Sequence, residues 1–517
     1  VKLVSLAFAV VLPLTLQAQA PAPAPASNAV KRAVASITPA DVMRRITVIA
    51  HDSMGGRDTP SPGLEKTAAY VASEFRRFGL KPGGDNGTFL QHYGVVNRVL
   101  DTGAVALQVS GTRTATLKFG ADFIATPFTP PPSRTFSAPV IVLSGPPDPA
   151  KPFGDQSIVG AWVVLQALPG QGRGGMVTDV NAMRAAAVGG AAGVLLFIRR
   201  TDADWQARMG RVLTPTVALE GSTEDIGPIL EIRDDAASRA FGIDASSFQS
   251  PTRVARRLEG VALTFKGAYR IVSRVTAPNA VGILEGADPV LKNEYVVYSA
   301  HMDHVGTAGK SNGCAARGAD SICNGADDDA SGTVSVIETA EAFAQLQPRP
   351  RRSIIFLTVS GEEHGLWGSA YFADHPPVPI ANIVADLNTD MIGRNWTDTI
   401  VAIGKEHSDL GATLNRIVAT HPELNMKAID DLWPEENFYF RSDHYNFARK
   451  GVPILFFFNG VHADYHQVSD SPDKIDAEKE ARIIQLVFYL GLDVANAAQK
   501  PKWNPESYRQ IVQQAVN

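Results

Sequence analysis

The sequence predicts an α/β protein: an open, mostly parallel mixed sheet flanked by helices, with a β-rich unit inserted ahead of the main sheet. Three observations predict it. Beyond about Gly260, strongly apolar runs of strand length alternate with helical segments, which is the pattern of an open α/β sheet. Between Gly120 and Ala255, short apolar runs are separated by turn residues, as in a compact β-rich unit. The length, 517 residues, exceeds one ordinary core, so two folded units plus tails are the natural division.

The elements follow in order. Val1-Lys2, an apolar run from Leu3 to Leu16, and Ala18-Gln19-Ala20 have the layout of a secretory signal. A membrane span needs about twenty apolar residues, more than this run supplies. Ala24-Pro25-Ala26 offers a second exit, so the cleavage point stays open, and residues 1–26 are read as signal plus Pro/Ala linker. No later stretch is long and apolar enough to span a bilayer. The mature protein is therefore expected to be secreted or periplasmic and soluble. Residues 27–119 form the first part of the main unit. Within them Ala40-Asp41 can cap a helix, Leu64 to Phe78 repeats apolar residues at i, i+3, i+4 before Gly79, and Val105-Ala106-Leu107-Gln108-Val109 alternates as a strand.

Prolines cluster at Pro127 to Pro132, and a domain boundary is placed near them, giving an insert over residues 120–255. It holds Val140 to Leu143, Ala161 to Leu165, a small-residue helix around Asn181 to Val188, Val194 to Ile198 and Pro215 to Leu219. The run Gly170-Gln171-Gly172-Arg173-Gly174-Gly175 lacks the Lys-Ser/Thr and the strand-to-helix setting of a phosphate loop, so it reads as a flexible loop. Residues 256–500 carry the main sheet. Its runs are Tyr295 to Ala300, Ser353 to Val359, Ile383 to Leu387 and Val452 to Phe458. Its helices are Ser331 to Leu346, Leu410 to Ala419 and Ala477 to Ala498, the last with Ile483, Ile484, Val487, Leu490 and Val494 on one side. Residues 501–517 read as a C-terminal tail.

With 45% hydrophobic residues, 20% charged residues and a net charge of -5, the chain lacks the basic excess that nucleic-acid binding needs, so no nucleic-acid partner is expected. There are two cysteines, Cys314 and Cys323. Export permits a disulfide, and pairing is the expectation, with two unrelated free thiols as the alternative. A bond so local clips one small loop and adds little to global stability.

Chemistry-bearing residues recur just beyond the carboxyl ends of the apolar runs, where open α/β sheets place their sites. His301 and Asp303 follow the first run, Glu362 and Glu363 the second, Asp390 ends the third, and Tyr465-His466 comes shortly after the fourth. Singly, each has another reading. His301-x-Asp303 can be a hydrogen-bonded pair, Asp327-Asp328-Asp329 a solvated or calcium-binding turn, Glu362-Glu363 a surface helix start, and His466 a loop cap. Their joint placement on one rim favours a common site.

Five segments carry a resemblance: Ala300-His-Met-Asp-His304, Asn324-Gly-Ala-Asp-Asp-Asp-Ala-Ser-Gly332, Ser360-Gly-Glu-Glu-His-Gly-Leu-Trp-Gly-Ser369, Leu387-Asn-Thr-Asp-Met391 and Tyr465-His-Gln-Val-Ser-Asp470. In order and spacing they resemble the co-catalytic zinc peptidases of clan MH, which include bacterial leucyl aminopeptidases, glutamate carboxypeptidases and transferrin receptor ectodomains. The resemblance implies two zinc ions per chain. Asp328 would bridge them, His301 and Asp390 would complete one site, and Glu363 and His466 the other. It implies Glu362 as general base, Tyr465 as donor of a hydrogen bond to the oxyanion, and Asp303 as the partner that orients His301. The insert, with Ile158-Val-Gly-Ala-Trp-Val-Val-Leu165 and Ala185-Ala-Ala-Val-Gly-Gly-Ala-Ala-Gly-Val-Leu-Leu-Phe197, resembles a protease-associated domain, which would lid the site and limit substrate size. Gly56-Arg57 and the helix to Phe78 resemble the family's opening helices. One departure is the loop with Cys314 and Cys323, which many relatives lack and which would border the zinc site.

The implied set is chemically coherent. Mixed carboxylate and imidazole donors suit zinc, and catalytic zinc keeps a position open for water. Two ions about 3.5 to 4 Å apart share that water, lower its pKa from about 15.7 toward 7 and polarise the scissile carbonyl. Glu362, next to a ligand but not one itself, is free to take the proton. The expected activity is removal of N-terminal residues from peptide substrates. A carboxypeptidase of the same family would need a cationic clamp, for which Arg441 and Arg394 are conceivable. A glutaminyl cyclase-like transferase would use one zinc, and a receptor-like ectodomain none. The residues leave the oligomeric state open.

Overall fold

A computed structural model gives the fold and describes residues 27–126, 133–148, 151–169, 176–177, 182–183, 185–186, 189–221, 227–309 and 313–513. The expected signal and linker over 1–26, the proline cluster at 127–132, the glycine-rich run at 170–175 and part of the expected helix at 181–188 lie outside the described residues. Two compact units emerge. One comprises Val1–Tyr93 and Thr276–Asn517, the other Gly94–Val275.

At the centre of the first unit four strands run parallel in the order Ser353–Val359, Tyr295–His301, Ile383–Asp390, Ile454–Phe458. These are the four apolar runs of the sequence. Antiparallel neighbours border them: Ala280 to Leu284 pairs with Ser353–Val359, and Thr399–Ile403 with Ile454–Phe458. Successive side chains of a strand point to opposite faces. Val296, Tyr298, Ile354, Phe356, Leu455 and Phe457 accordingly join one core with the helices Pro39–Ile49, Pro62–Arg77, Gly332–Ala344 and Ala477–Asn496. Val297, Ile355, Leu357, Ile454, Phe456 and Phe458 join another with Phe372 and Phe447. Burial on both faces explains why these strands read as continuous apolar runs.

Local chemistry sets the helix starts. The hydroxyl of Thr38 accepts the Asp41 N–H at 3.1 Å, and Pro39 occupies the first turn. The cap expected at Ala40-Asp41 therefore lies earlier, because a Thr before a Pro supplies both the acceptor and the preset backbone angle. Residues 501–513 are not a loose tail. Ile511 and Val512 are buried against the core that holds Phe447, and Trp503 donates its indole N–H to the Gly451 carbonyl at 2.9 Å. Among the described residues no helix is long and apolar enough to cross a membrane.

Arg45, on the helix Pro39–Ile49, is wholly buried and paired with Glu74 at 3.1 Å and with Glu338 and Glu341. Arg45→Met removes the cation and leaves the carboxylates facing one another. The expected loss is about 3–5 kcal/mol, the usual result of breaking a buried pair on one side. Equilibrium urea unfolding measures it, and an unchanged midpoint would contradict it.

The second unit holds a mixed sheet in the order Ala115–Leu117, Ala106–Gly111, Val254–Lys266, Thr135–Ser144, Trp162–Pro169, Gly193–Ile198, Ile229–Arg233, Phe123–Ala125. Trp162 anchors its core among Leu107, Val140, Leu195 and Phe265, with its indole N–H on the Leu263 carbonyl at 3.1 Å. The insert expected over 120–255 falls inside this unit, which extends outward to Gly94 and Val275. The reason is strand pairing: Val254–Lys266 bridges Ala106–Gly111 and Thr135–Ser144, which carries segments on both sides of the expected limits into one sheet.

Candidate metal centre

The four parallel strands end side by side, and the loops leaving them meet on one rim. His301 is the last residue of its strand and Asp390 of another. Glu362 and Glu363 follow Ser353–Val359, and Tyr465-His466 lies in the loop after Ile454–Phe458. Asp327, Asp328 and Asp329 immediately precede the helix Gly332–Ala344.

Two donor groups form there and share Asp328. His301 Nε2 lies 3.4 Å from Asp328 Oδ1 and 3.7 Å from Asp390 Oδ1. On the other side, His466 Nε2 lies 3.2 Å from Asp328 Oδ2 and 3.2 Å from Glu363 Oε2. The structure thus brings His301, Asp328, Glu363, Asp390 and His466 together. It adds His304, whose Nδ1 is 2.9 Å from Glu363 Oε1 and 3.5 Å from Asp328 Oδ2. His304 Nδ1, Asp328 Oδ2, Glu363 Oε1 and His466 Nε2 are buried and make no hydrogen bond among the described residues. Buried polar atoms are normally satisfied, so four converging unsatisfied donors fit a cation, and the nitrogen and oxygen set fits zinc.

The three adjacent aspartates have separate roles. Asp327 accepts the Gly393 N–H at 2.6 Å, with His462 Nε2 at 3.2 Å from its other oxygen. Asp328 turns toward both imidazole groups. Asp329 accepts the N–H groups of His301, Gly332 and Met391 at 3.2, 2.8 and 3.2 Å, so its carboxylate ties three loops and is largely spent as a ligand. Asp470 holds this turn from below, accepting the N–H groups of Asp327 and Asp328 at 3.1 Å.

Asp303 does two things. His301 Nδ1 is 3.2 Å from its carbonyl oxygen and 3.6 Å from its carboxylate, which directs Nε2 toward the donors. The carboxylate itself accepts the Thr59 hydroxyl at 3.0 Å and the Glu362 N–H at 3.3 Å. Asp390 is steadied by the Ser442 hydroxyl at 3.0 Å. Beneath both loops lies the wholly buried Arg57, which donates to the carbonyls of Met302 at 2.9 Å, Ile49 at 3.1 Å, Gly325 at 2.9 Å and Asn324. Gly56-Arg57, legible only as part of an opening segment, is thus built into the floor of the site.

The adjacent glutamates have opposite environments. Desolvation and the acidic neighbour Asp328 oppose ionisation of Glu363, but His304 and His466 outweigh them and hold its carboxyl down to about 2. Desolvation, opposed by His301 and reinforced by Glu363, Asp443 and Asp390, raises Glu362 well above the usual carboxylate range. Glu362 lines a cavity of about 370 Å³ together with His301, Asp328 and Asp390. The rest of its wall is largely apolar: Trp433, Phe438, Phe456, Phe458 and Val461. Tyr465 also lines it, with its ring stacked on His466 at 3.9 Å. Arg441 reaches this wall, paired with Glu436 at 3.3 Å, whereas Arg394 is paired with Asp464 at 3.1 Å. Cys314 and Cys323 form the expected disulfide, and Cys323 Sγ lies 3.7 Å from the His466 carbonyl oxygen, so the loop borders the site.

Sequence reasoning assigned nothing to His304, Asp329, Asp470 or Arg57. All but Arg57 stand inside the five quoted segments, yet nothing local separates a donor from its support.

Residues 279–491 match the profile of peptidase family M28. The chain is 25% identical over 372 residues to a probable zinc metalloprotease of Pyricularia oryzae, a match covering 59% of this chain and 69% of that one. It is 26% identical over 286 residues to a probable leucine aminopeptidase of Arthroderma otae, covering 53% and 74%. In fold it is similar to the aminopeptidase from Aneurinibacillus sp. strain AM-1, with a TM-score of 0.50 and 18% identity over 90% of this chain and 95% of that one.

Proposed function

The chain belongs, through residues 279–491, to peptidase family M28, and from that premise we propose that it is an exported aminopeptidase using two zinc ions. The observation that carries this reading is a single carboxylate, Asp328, facing two imidazole and carboxylate groups at the floor of a cavity that Glu362 also lines. Supporting it are relatives described as a probable zinc metalloprotease and a probable leucine aminopeptidase. The disulfide and the signal-like start agree with export. The second unit is read as a protease-associated domain.

In this reading His301, Asp390 and Asp328 would hold one ion, and Glu363, His466 and Asp328 the other. Zinc held by these residues would supply Lewis acidity toward a water and the scissile carbonyl. Glu362 accepts the proton of the attacking water and returns it to the leaving amine. Its backbone is held for that task by the Asp303 carboxylate. Tyr465 donates its phenolic hydrogen to the oxygen on which charge develops. The aromatic wall receives an apolar side chain of the substrate.

Three measurements test this. Purified protein should hold close to two zinc ions per chain and lose turnover to a chelator, with recovery on adding zinc; one ion with full activity would favour the cyclase-like reading. N-acetylation of a peptide should abolish its cleavage while amidation of its carboxyl end leaves it intact. The reverse outcome would assign a carboxypeptidase with Arg441 as its clamp. Leucyl and phenylalanyl substrates should exceed alanyl and glutamyl ones in kcat/KM by at least about 10-fold, the discrimination available to a few buried methylene groups. A flat profile would mean that the aromatic wall does not hold the terminal side chain.

A further inference from the structure

We propose that His304 is itself a metal donor, giving the ion at Glu363 and His466 a fourth protein ligand and closing that position, while the ion at His301 and Asp390 keeps the open one. The inference rests on the two-zinc reading above and adds to it a difference between the two ions.

The geometry of the donors carries it. A tetrahedral zinc with bonds of about 2.0 to 2.2 Å places its ligand atoms roughly 3.3 to 3.6 Å from one another. His466 Nε2 is 3.2 Å from both Asp328 Oδ2 and Glu363 Oε2, and His304 Nδ1 is 3.5 Å from Asp328 Oδ2 and 2.9 Å from Glu363 Oε1. His304 therefore approaches the same two carboxylates as His466, within 0.3 Å of its distances, from the other oxygen of Glu363. One donor atom of each of the four residues lies within 4.8 Å of every other.

A plain hydrogen bond to Glu363 is the alternative, since 2.9 Å is a hydrogen-bond distance. The direction is against it. Neither His304 Nδ1 nor Glu363 Oε1 makes a hydrogen bond among the described residues, although both are buried. His304 is wholly buried, so an imidazole with no partner for that nitrogen carries a desolvation cost that a metal bond would remove. The ring is also held in place. It packs on Gly325, where a Cβ would lie 2.6 Å from its Cγ and Cδ2, and it meets His466 edge to face at 5.4 Å.

The opposite side differs. Beside His301, Asp328 and Asp390, a further carboxylate, Asp329, lies 4.0 Å from His301 Nε2, but it already accepts three backbone N–H groups. That ion is left with three protein donors and an open position facing the cavity, as catalytic zinc requires.

The test uses the zinc-loaded wild-type chain and two variants, His304→Ser and His304→Gln. A crystal structure with anomalous scattering measured on both sides of the zinc edge locates the ions. The expected result is His304 Nδ1 about 2.0 to 2.1 Å from one of them. Stepwise removal with chelators of increasing strength should take zinc from the wild type in two stages, one ion leaving well before the other. In both variants the retained ion should be lost at least 10-fold more readily, while thermal unfolding of the variants checks that they fold. A map with two ions and His304 Nδ1 beyond about 3 Å of either overturns the proposal and leaves the two-zinc reading standing. So does wild-type zinc retention by a folded variant. A wild-type chain that binds no zinc at these residues sinks both.

Discussion

In the two-zinc reading, Glu362→Gln is expected to lower turnover by roughly 10²- to 10⁴-fold with zinc still bound, whereas Glu363→Gln is expected to lose zinc. The two side chains are neighbours of identical chemistry, and only their surroundings separate them. Glu363 sits between His304 and His466, with one oxygen 2.9 Å from the first ring and the other 3.2 Å from the second. Replacing it by an amide puts a neutral group between two imidazoles where a bound cation would need a charge, so metal affinity should fall first and activity should follow. Glu362 lines the cavity and makes no ion pair with either imidazole, so its amide keeps the shape and removes only the proton acceptor. Zinc content measured beside turnover separates the two. Zinc loss from Glu362→Gln with retention in Glu363→Gln would reverse the assignment, and near-full activity of Glu362→Gln would refute the mechanism.

Arg57→Leu should be as damaging, from a position that touches no donor atom of the two groups. Its guanidinium serves four carbonyls, of Ile49, Met302, Asn324 and Gly325, in a wholly buried setting. Each buried carbonyl left without a donor costs about 1–3 kcal/mol, so the expected destabilisation is about 4 kcal/mol or more. The two loops it joins carry His301 with Asp303 on one side and Asp328 on the other, so zinc content should fall along with the melting temperature. Arg57→Lys keeps the charge but replaces a planar fork with one point donor, and an intermediate loss is expected. Thermal unfolding and zinc per chain measure both effects. A Leu variant that melts normally with two ions bound would show that the loops hold themselves.

The strand ends were legible because burial on both faces makes a parallel strand a continuous apolar run, and a polar residue closing such a run is conspicuous. His301, Glu362, Glu363, Asp390 and His466 stand out in this way, and the resemblance supplied Asp328. The supports were not legible in that manner. Asp327, Asp328 and Asp329 are alike in the sequence, and their roles diverge only because one turn aims them at Gly393, at two imidazole groups and at three backbone amides. Arg57 lies 244 residues from His301 along the chain and meets its loop only through the fold. The limits of the second unit moved outward for the same reason, since pairing between Ala106–Gly111 and Val254–Lys266 leaves no local mark.

By itself, then, the sequence determined the fold class, the runs that become the central strands and the residue types offered at their ends, because those follow from periodicity and from the chemistry of single side chains. The tertiary structure alone decided that His304 stands beside Asp328 and Glu363, that Asp329 is tied to three backbone amides, and that Arg57 joins the loops of Met302 and Gly325. Those are matters of direction over a few ångströms, set by loops that meet from distant parts of the chain, and a side chain's direction is not written in its neighbours along the sequence.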